Sequence, residues 1–206
     1  MTDYIKGFQG EYRFLSNFYP SPIRVTFTGI EYLFPTAEHL YQASKLIYTE
    51  LSTDDQREIV EQIISSTPGQ AKRIGRGIPL TDQWDDVESD IVMRKVVGEK
   101  FEQNPDLAQR LLETGTAYLE EANDWGDNKW GTVNGFGQNL LGWILMDERD
   151  HWWAESLRTT ATPPLEVTEW HETPGAVHVQ WRNLSIPAFG RTLNSEDSGS
   201  SGANGG

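Results

Sequence analysis

The segment Phe34-Pro35-Thr36-Ala37-Glu38-His39-Leu40-Tyr41-Gln42-Ala43-Ser44-Lys45 places a carboxylate, an imidazole, an amide and an ammonium on one short stretch. Pro35 closes an extended run. Thr36 can cap a helix starting beyond it, by accepting a hydrogen bond from a backbone N–H two or three residues on. On that helix Glu38, Gln42 and Lys45 stand at i, i+4 and i+7 and share a face. Leu40 and Ala43, with part of Tyr41, fall on another side. Such a stripe can line a polar pocket, or it can be the solvated face of a surface helix with a charge pair. Spacing alone leaves both open, and charged stripes are usually solvated.

The elements that must hold this segment can be read on either side of it. Ile23 to Phe27 alternates apolar and polar residues, as a half-buried strand does. Thr28-Gly29 is turn material, and Ile30 to Phe34 makes the partner strand of a hairpin. The helix from Thr36 is expected to reach about Tyr48. Ser52 to Asp55 caps a second helix carrying Ile59, Ile63 and Ile64. Ser66-Thr67-Pro68-Gly69 stops that helix and starts a third, with Ala71 to Gly77. Trp84 to Gln103 reads as a long amphipathic helix with Val87, Ile91, Met93, Val97 and Phe101 as core positions. Asn104-Pro105-Asp106 breaks it and opens another, with Leu107, Leu111 and Leu112 apolar. Ala117 to Ala122 suits a short strand, Asn123 to Gln138 a loop, and Asn139 to about Glu155 a last helix. Gly135 and Gly137 would allow a tight approach to that helix, although glycine in a loop is a weak signal.

The expected architecture is α+β: residues 1–155 as a single, mostly helical domain with a small antiparallel sheet drawn largely from the first thirty-odd residues. Composition changes near Thr159. Residues 156–194 read as a C-terminal extension, with a linker at Thr160 to Pro164 and a β-hairpin formed by Leu165 to Trp170 and Ala176 to Trp181. Residues 195–206 are Ser, Gly, Asn and acidic only, the composition of a disordered tail.

The chain has 206 residues, 37% hydrophobic and 23% charged, a globular balance. Acidic residues outnumber basic ones, 31 to 17, giving a net charge of −14. That field repels nucleic-acid phosphates and anionic membranes, so no extensive nucleic-acid surface is expected. No cysteine is present, which excludes disulfides and thiolate metal sites. The four histidines show no metal-site spacing, so no metal and no cofactor are expected. No signal peptide or membrane-length apolar run occurs, so the expectation is a cytoplasmic protein without membrane contact. Eight Trp is a rich complement. Such side chains line ligand pockets, though core packing is the commoner use.

Several segments, in order, resemble the signature of the YbiA-like, or NADAR, family. They are Tyr12-Arg13-Phe14-Leu15-Ser16-Asn17-Phe18-Tyr19-Pro20, the Phe34 to Lys45 segment, and Pro68-Gly69-Gln70-Ala71-Lys72-Arg73-Ile74-Gly75-Arg76. Trp84 with Met93 follows, then Lys100 to Pro105, Leu111 to Gly115, Asp127-Asn128-Lys129-Trp130-Gly131, and Gly137 to Met146. The resemblance runs from about Tyr4 to about Asp150, three quarters of the chain, and says nothing about residues after about Glu155. Phe34 stands where the family usually has Tyr, which removes one hydroxyl. The segment from Leu51 to Glu61 looks longer than in compact members, which would reshape one rim of a pocket.

What the resemblance implies is an N-glycosidase that cleaves the bond between a ribose phosphate and a nitrogen base. One branch acts on early riboflavin-pathway intermediates, and another removes ADP-ribose from modified guanine in nucleic acid. The family is also linked to NAD and ADP-ribose, so a binding module without turnover is a third reading; the intact Glu38 argues against it. The partner implied is a small ribosylated molecule, or an ADP-ribosylated nucleotide.

Cleaving a C–N ribosyl bond passes through an oxocarbenium-like sugar, which needs a carboxylate, a nucleophile and help for the leaving base. Glu38 suits the first two tasks. Its place in the first helical turn favours the anion and argues against a general acid with a raised pKa. Lys45 pairs with Glu38, meets a phosphate, or attacks the anomeric carbon to form a Schiff base. Asp127 is the candidate second carboxylate, or an Asx turn. Arg13, Lys72 and Arg76 are candidates for phosphate contacts. Ser16, Asn17, Gln42 and Asn139 are candidates for hydrogen bonds to substrate. Trp84 and Trp130 are candidates for stacking on the base, with core packing as the rival reading. Oligomeric state is not legible.

Overall fold

The computed structural model describes residues 3–160, with side chains through residue 158. β1 (Tyr4–Lys6) opens the chain and is followed by a 3-10 helix over Gly10–Leu15. β2 (Ile23–Phe27) and β3 (Ile30–Phe34) form the expected hairpin, with Ile23 opposite Phe34 and Phe27 opposite Ile30. Thr28 and Gly29 have φ of 49° and 78°, as a two-residue hairpin turn matched to strand twist requires.

α1 (Ala37–Ser44) begins as expected: the Thr36 side chain accepts the His39 N–H. It does not continue as an α-helix to Tyr48. At Lys45 the chain tightens into a 3-10 turn, Lys45–Tyr48. α2 (Thr53–Ile64) is capped by Ser52, and α3 (Pro68–Arg76) by a reciprocal box of Thr67 and Gln70 with Pro68 in the first turn. α4 (Asp86–Glu102) starts two residues later than expected, because Asp85 caps it. α5 (Pro105–Glu113) follows, then β4 (Tyr118–Glu120), β5 (Ala122–Asn123) and β6 (Thr132–Val133). α6 (Leu140–Thr160) ends the described region and runs past the expected end near Glu155.

α1 lies at the centre, packed against α2, α3 and α4. Every residue from Ala37 to Ser44 is buried, so its polar stripe is not a solvated face. Phe34, Leu15, Leu46, Ile63, Phe101 and Leu145 are among the fully buried side chains around it. Each such apolar side chain contributes about 1.5–3 kcal/mol on burial.

The α+β, mostly helical architecture holds, but two of its details differ from expectation. The hairpin is antiparallel, whereas β1 pairs with β4 and β5 with β6 in parallel, as separate two-stranded units. The pairing of Tyr4 with Tyr118 joins distant parts of the chain, which local pattern does not encode. On α4, Val87 is 64% exposed and Ile91 only half-buried. The inward face is Ser89, Val92, Met93, Val96, Val97, Lys100 and Phe101. The hairpin expected over Leu165 to Trp181 and the tail from Ser195 lie outside the described residues. Among the described residues no helix is long and apolar enough to cross a membrane.

Candidate active site

A cavity of about 980 Å³ opens between α1 and α3 on one side and the chain from Glu121 to Trp130 on the other. α1 and the turn after it contribute Glu38, Tyr41, Gln42 and Lys45, and α3 contributes Lys72 and Arg76. Ser16, Asn17 and Phe18 form one rim, and Met93 and Leu141 add apolar surface.

The helical wall is tightly organised. Glu38 is 5% exposed, and Gln42 Nε2 donates to its Oε1 at 2.7 Å. Burial pushes the Glu38 carboxyl above the ordinary carboxylate range. The Gln42 amide, Lys72 and Lys45 draw it back, and Asp127 pushes it further up. The helix N-terminus does not hold this group as a low-pKa anion, contrary to expectation, because burial outweighs the nearby donor and cations, and the first-turn amides go elsewhere. The Glu38 N–H donates to Asn17 O at 2.9 Å, and the His39 N–H goes to Thr36. His39 itself is structural: Nδ1 meets Thr36 Oγ1 at 2.8 Å and Nε2 meets Ser66 O at 3.0 Å, strapping α1 to the turn before α3.

Lys45 reaches Gly75 O at 3.5 Å, and its Nζ lies 5.5 Å from the Tyr41 ring centre. Burial lowers the Lys45 pKa, Glu38 opposes the shift, and Lys72 and Arg76 reinforce it. Gly75 is needed here: a Cβ would run into the Gln42 amide, 2.6 Å from its Cδ.

The opposite wall is a loop, held by side-chain-to-backbone bonds. Asn123 Nδ2 donates to Asp127 O and Thr132 O, and Asn123 Oδ1 accepts the Asp127 N–H. Asp127 Oδ1 accepts the Trp130 N–H at 3.0 Å, while Oδ2 pairs with Lys72 at 3.6 Å across the cavity. Lys129 bonds Asp86 and Ser89 and pairs with Asp90, fastening the loop to α4. The loop carbonyls of Lys129 and Trp130 accept the N–H groups of Leu140 and Leu141, so the loop caps α6.

Beneath the rim, Lys100 is fully buried. Its Nζ donates to the carbonyls of Phe14, Leu15 and Ser16 at 2.6, 3.4 and 3.0 Å. Burial pushes its pKa down to about 7, opposed by Glu121. Among the described residues no group of three or more His, Asp or Glu side chains is placed to hold a metal ion.

The residue pattern of the NADAR domain matches residues 4–153. The chain belongs to the NADAR domain family. N-glycosidase YbiA of Shigella flexneri is 38% identical over 143 residues, covering 68% of this chain and 81% of that protein. A protein of Vibrio vulnificus named for riboflavin biosynthesis is 38% identical over 143 residues, 66% of this chain and 35% of its own length. The NMR structure of Escherichia coli YbiA superposes with a TM-score of 0.61 at 36% identity, covering 76% of this chain and 89% of that one.

In this NADAR domain the cavity brings together Glu38, Lys45, Asp127, Ser16, Asn17, Gln42, Lys72, Arg76 and Trp130. Three expected site residues stand elsewhere. Arg13 is exposed on the 3-10 helix, whose next two residues, Phe14 and Leu15, turn into the core. Trp84 is packed by Tyr48 and Tyr41, with ring centres 5.0 and 6.0 Å away. Asn139 is buried with φ 53°, accepting the Glu121 N–H and donating to Leu119 O and the Tyr118 hydroxyl. Its amide fixes the wall from behind.

Sequence reasoning missed Tyr41, Met93, Glu121, Trp125 and Lys129 as lining residues. Glu121 had a faint signal. Strand alternation sends Glu120 to Tyr4 and Thr132, and turns its neighbour the other way.

Proposed function

We propose that the cavity binds a phosphoribosylated pyrimidine of the riboflavin-pathway kind and hydrolyses its C–N ribosyl bond. The coarser activity follows from the family: the chain is a hydrolase of N-glycosyl bonds. The observation that carries the finer reading is the pairing of a buried carboxyl, Glu38, with three cations in one cavity, Lys45, Lys72 and Arg76. The cations suit a phosphate in an otherwise acidic protein. A volume of about 980 Å³ accommodates a nucleotide-sized molecule. Trp130, with Tyr41 edge-on at 5.7 Å, offers an aromatic surface for the base. The riboflavin-related name of the Vibrio relative supports the choice of base.

In this reading Glu38 faces the anomeric carbon. It stabilises the oxocarbenium-like sugar as the base departs and takes a proton from the attacking water. Gln42 fixes the carboxyl orientation, and Gly75 leaves room for Gln42. Lys45 offers a second attacker once it gives up its proton, which burial and its cationic neighbours ease against the pull of Glu38.

A product screen of wild type beside Glu38→Gln tests the assignment. Wild type is expected to release free pyrimidine from the ribosylated 5-phosphate, and Glu38→Gln to be slower by about 10³-fold. Equal rates would remove Glu38 from the chemistry. Release of unmodified guanine from ADP-ribosylated DNA, with no action on the pyrimidine, would replace this substrate with the alternative one. Borohydride trapping of a sugar on Lys45 would show that lysine, not water, attacks.

A further inference from the structure

We propose that Glu121 is the general acid of this site, protonating the base nitrogen as its bond to the sugar breaks. The assignment rests on the N-glycosidase reading above and adds the residue that the departing base requires.

Glu121 sits at the break between β4 and β5, and its backbone is clamped. Its N–H donates to Asn139 Oδ1 at 2.9 Å, and its carbonyl accepts the Thr132 N–H at 2.9 Å. Gly131 packs so closely that a Cβ there would meet the Glu121 carbonyl oxygen and lie 3.0 Å from Glu121 Cγ. The side chain lines the cavity with Asp127 and Lys72.

Three carboxyls line this cavity in unlike surroundings. Glu38 holds the Gln42 amide. Asp127 holds the Trp130 amide and pairs with Lys72. The Glu121 carboxyl accepts no hydrogen bond and joins no ion pair among the described residues, and its Oε2 is buried. Neighbouring carboxyls do not all ionise cheaply in a desolvated site. Burial favours the protonated form, and at Glu121 no donor offsets it. Facing Glu121 are Asp127 from the loop, Lys72 from α3 and Lys100 from α4. Burial and Asp127 raise its pKa to about 7, with Lys72 and Lys100 opposing.

The step balances. The C–N bond breaks and its electron pair goes to the base nitrogen, which takes the Glu121 proton, so the base leaves neutral. Water bonds to the anomeric carbon and gives one proton to Glu38. Glu121 ends as carboxylate and Glu38 as acid, and exchange with solvent resets both.

The test compares wild type and Glu121→Gln on two probes: an N-ribosylated aminopyrimidine 5-phosphate, and p-nitrophenyl β-ribofuranoside 5-phosphate. The phenolate of the second leaves without a proton. Glu121→Gln is expected to lose about 10²-fold or more in kcat/KM on the first probe. It should lose less than about tenfold on the second, where no proton is required. Wild-type kcat/KM should fall above about pH 7, and Glu121→Gln should lack that fall. Equal losses on both probes, or a retained alkaline fall, would overturn the assignment. Glu121→Asp keeps a carboxyl and should keep the alkaline fall; its absence there would overturn the assignment too, even if Glu121→Gln failed to fold. A wild type that releases no base from any ribosylated substrate would defeat the N-glycosidase reading itself. A wild type that does release base, matched by Glu121→Gln, would defeat only the role of Glu121.

Discussion

The cavity has two walls built on different principles. The α1 wall is a helix buried on all sides, whose polar groups are placed by a 3.6-residue repeat and a cap. The Glu121 to Trp130 wall is irregular backbone, placed by Asn123, Asp127 and Lys129 bonding to neighbouring chain. On the first wall, position follows from the fold of one element. On the second, it depends on close approaches within the loop and on Lys129 reaching across to α4. The second wall should therefore be the more fragile to small changes, even though it is the more exposed.

Adding one methyl group behind each wall gives the sharpest contrast. Gly137 has φ 152°, and a Cβ there would press on backbone: Gly131 O, Thr132 Cα at 2.9 Å and Asn128 O at 3.0 Å. Gly137→Ala is expected to cost about 3 kcal/mol or more, read as a lowered urea midpoint. A loss below about 1 kcal/mol would show that the loop adapts, and would erase the distinction between the walls.

The second effect is electrostatic. The Glu121 carboxyl rises from an ordinary 4.5 to about 7 on folding. Between those values the unfolded chain is ionised and the folded one is protonated. The stability tied to the acid form is thus complete below pH 4.5 and is lost as pH rises through 7. Relative to wild type, Glu121→Gln should gain on the order of 2 kcal/mol between pH 4.5 and 7.5. Denaturant midpoints at the two pH values measure it, and a pH-independent difference would place Glu121 in solvent.

The smallest effect on stability belongs to the helical wall. Gly75→Ala meets chiefly the Gln42 side chain, which can swing aside, so a cost of about 1 kcal/mol is expected. Activity should nevertheless fall about tenfold, because the displaced amide no longer orients Glu38. Unchanged activity would separate Gln42 from the chemistry.

This division also sets what was legible in the sequence. Thr36, Ser52, Thr67 and Pro68 announce their helices by local chemistry, and the Thr28-Gly29 turn announces its hairpin. The face shared by Glu38, Gln42 and Lys45 was visible for the same reason, although the tightening at Lys45 was not. Whether that face met solvent or a cavity was undecidable from spacing, since it depends on what α3 and the loop bring opposite. The parallel pairing of Tyr4 with Tyr118 leaves no local trace. Glu120 and Glu121 look alike in sequence, and only pairing with β1 and β6 separates their roles. Asn139 reads from the sequence as a candidate for hydrogen bonds to substrate. Its left-handed backbone turns it onto Glu121 and Leu119 instead.

The opening amides of α6 find their acceptors on the loop, at Lys129 and Trp130, rather than on a residue of their own helix. Deuterium uptake at Leu140 and Leu141 therefore tracks the integrity of the rim across the cavity. Two backbone amides at the start of α6 act as a resident gauge of whether the site is assembled.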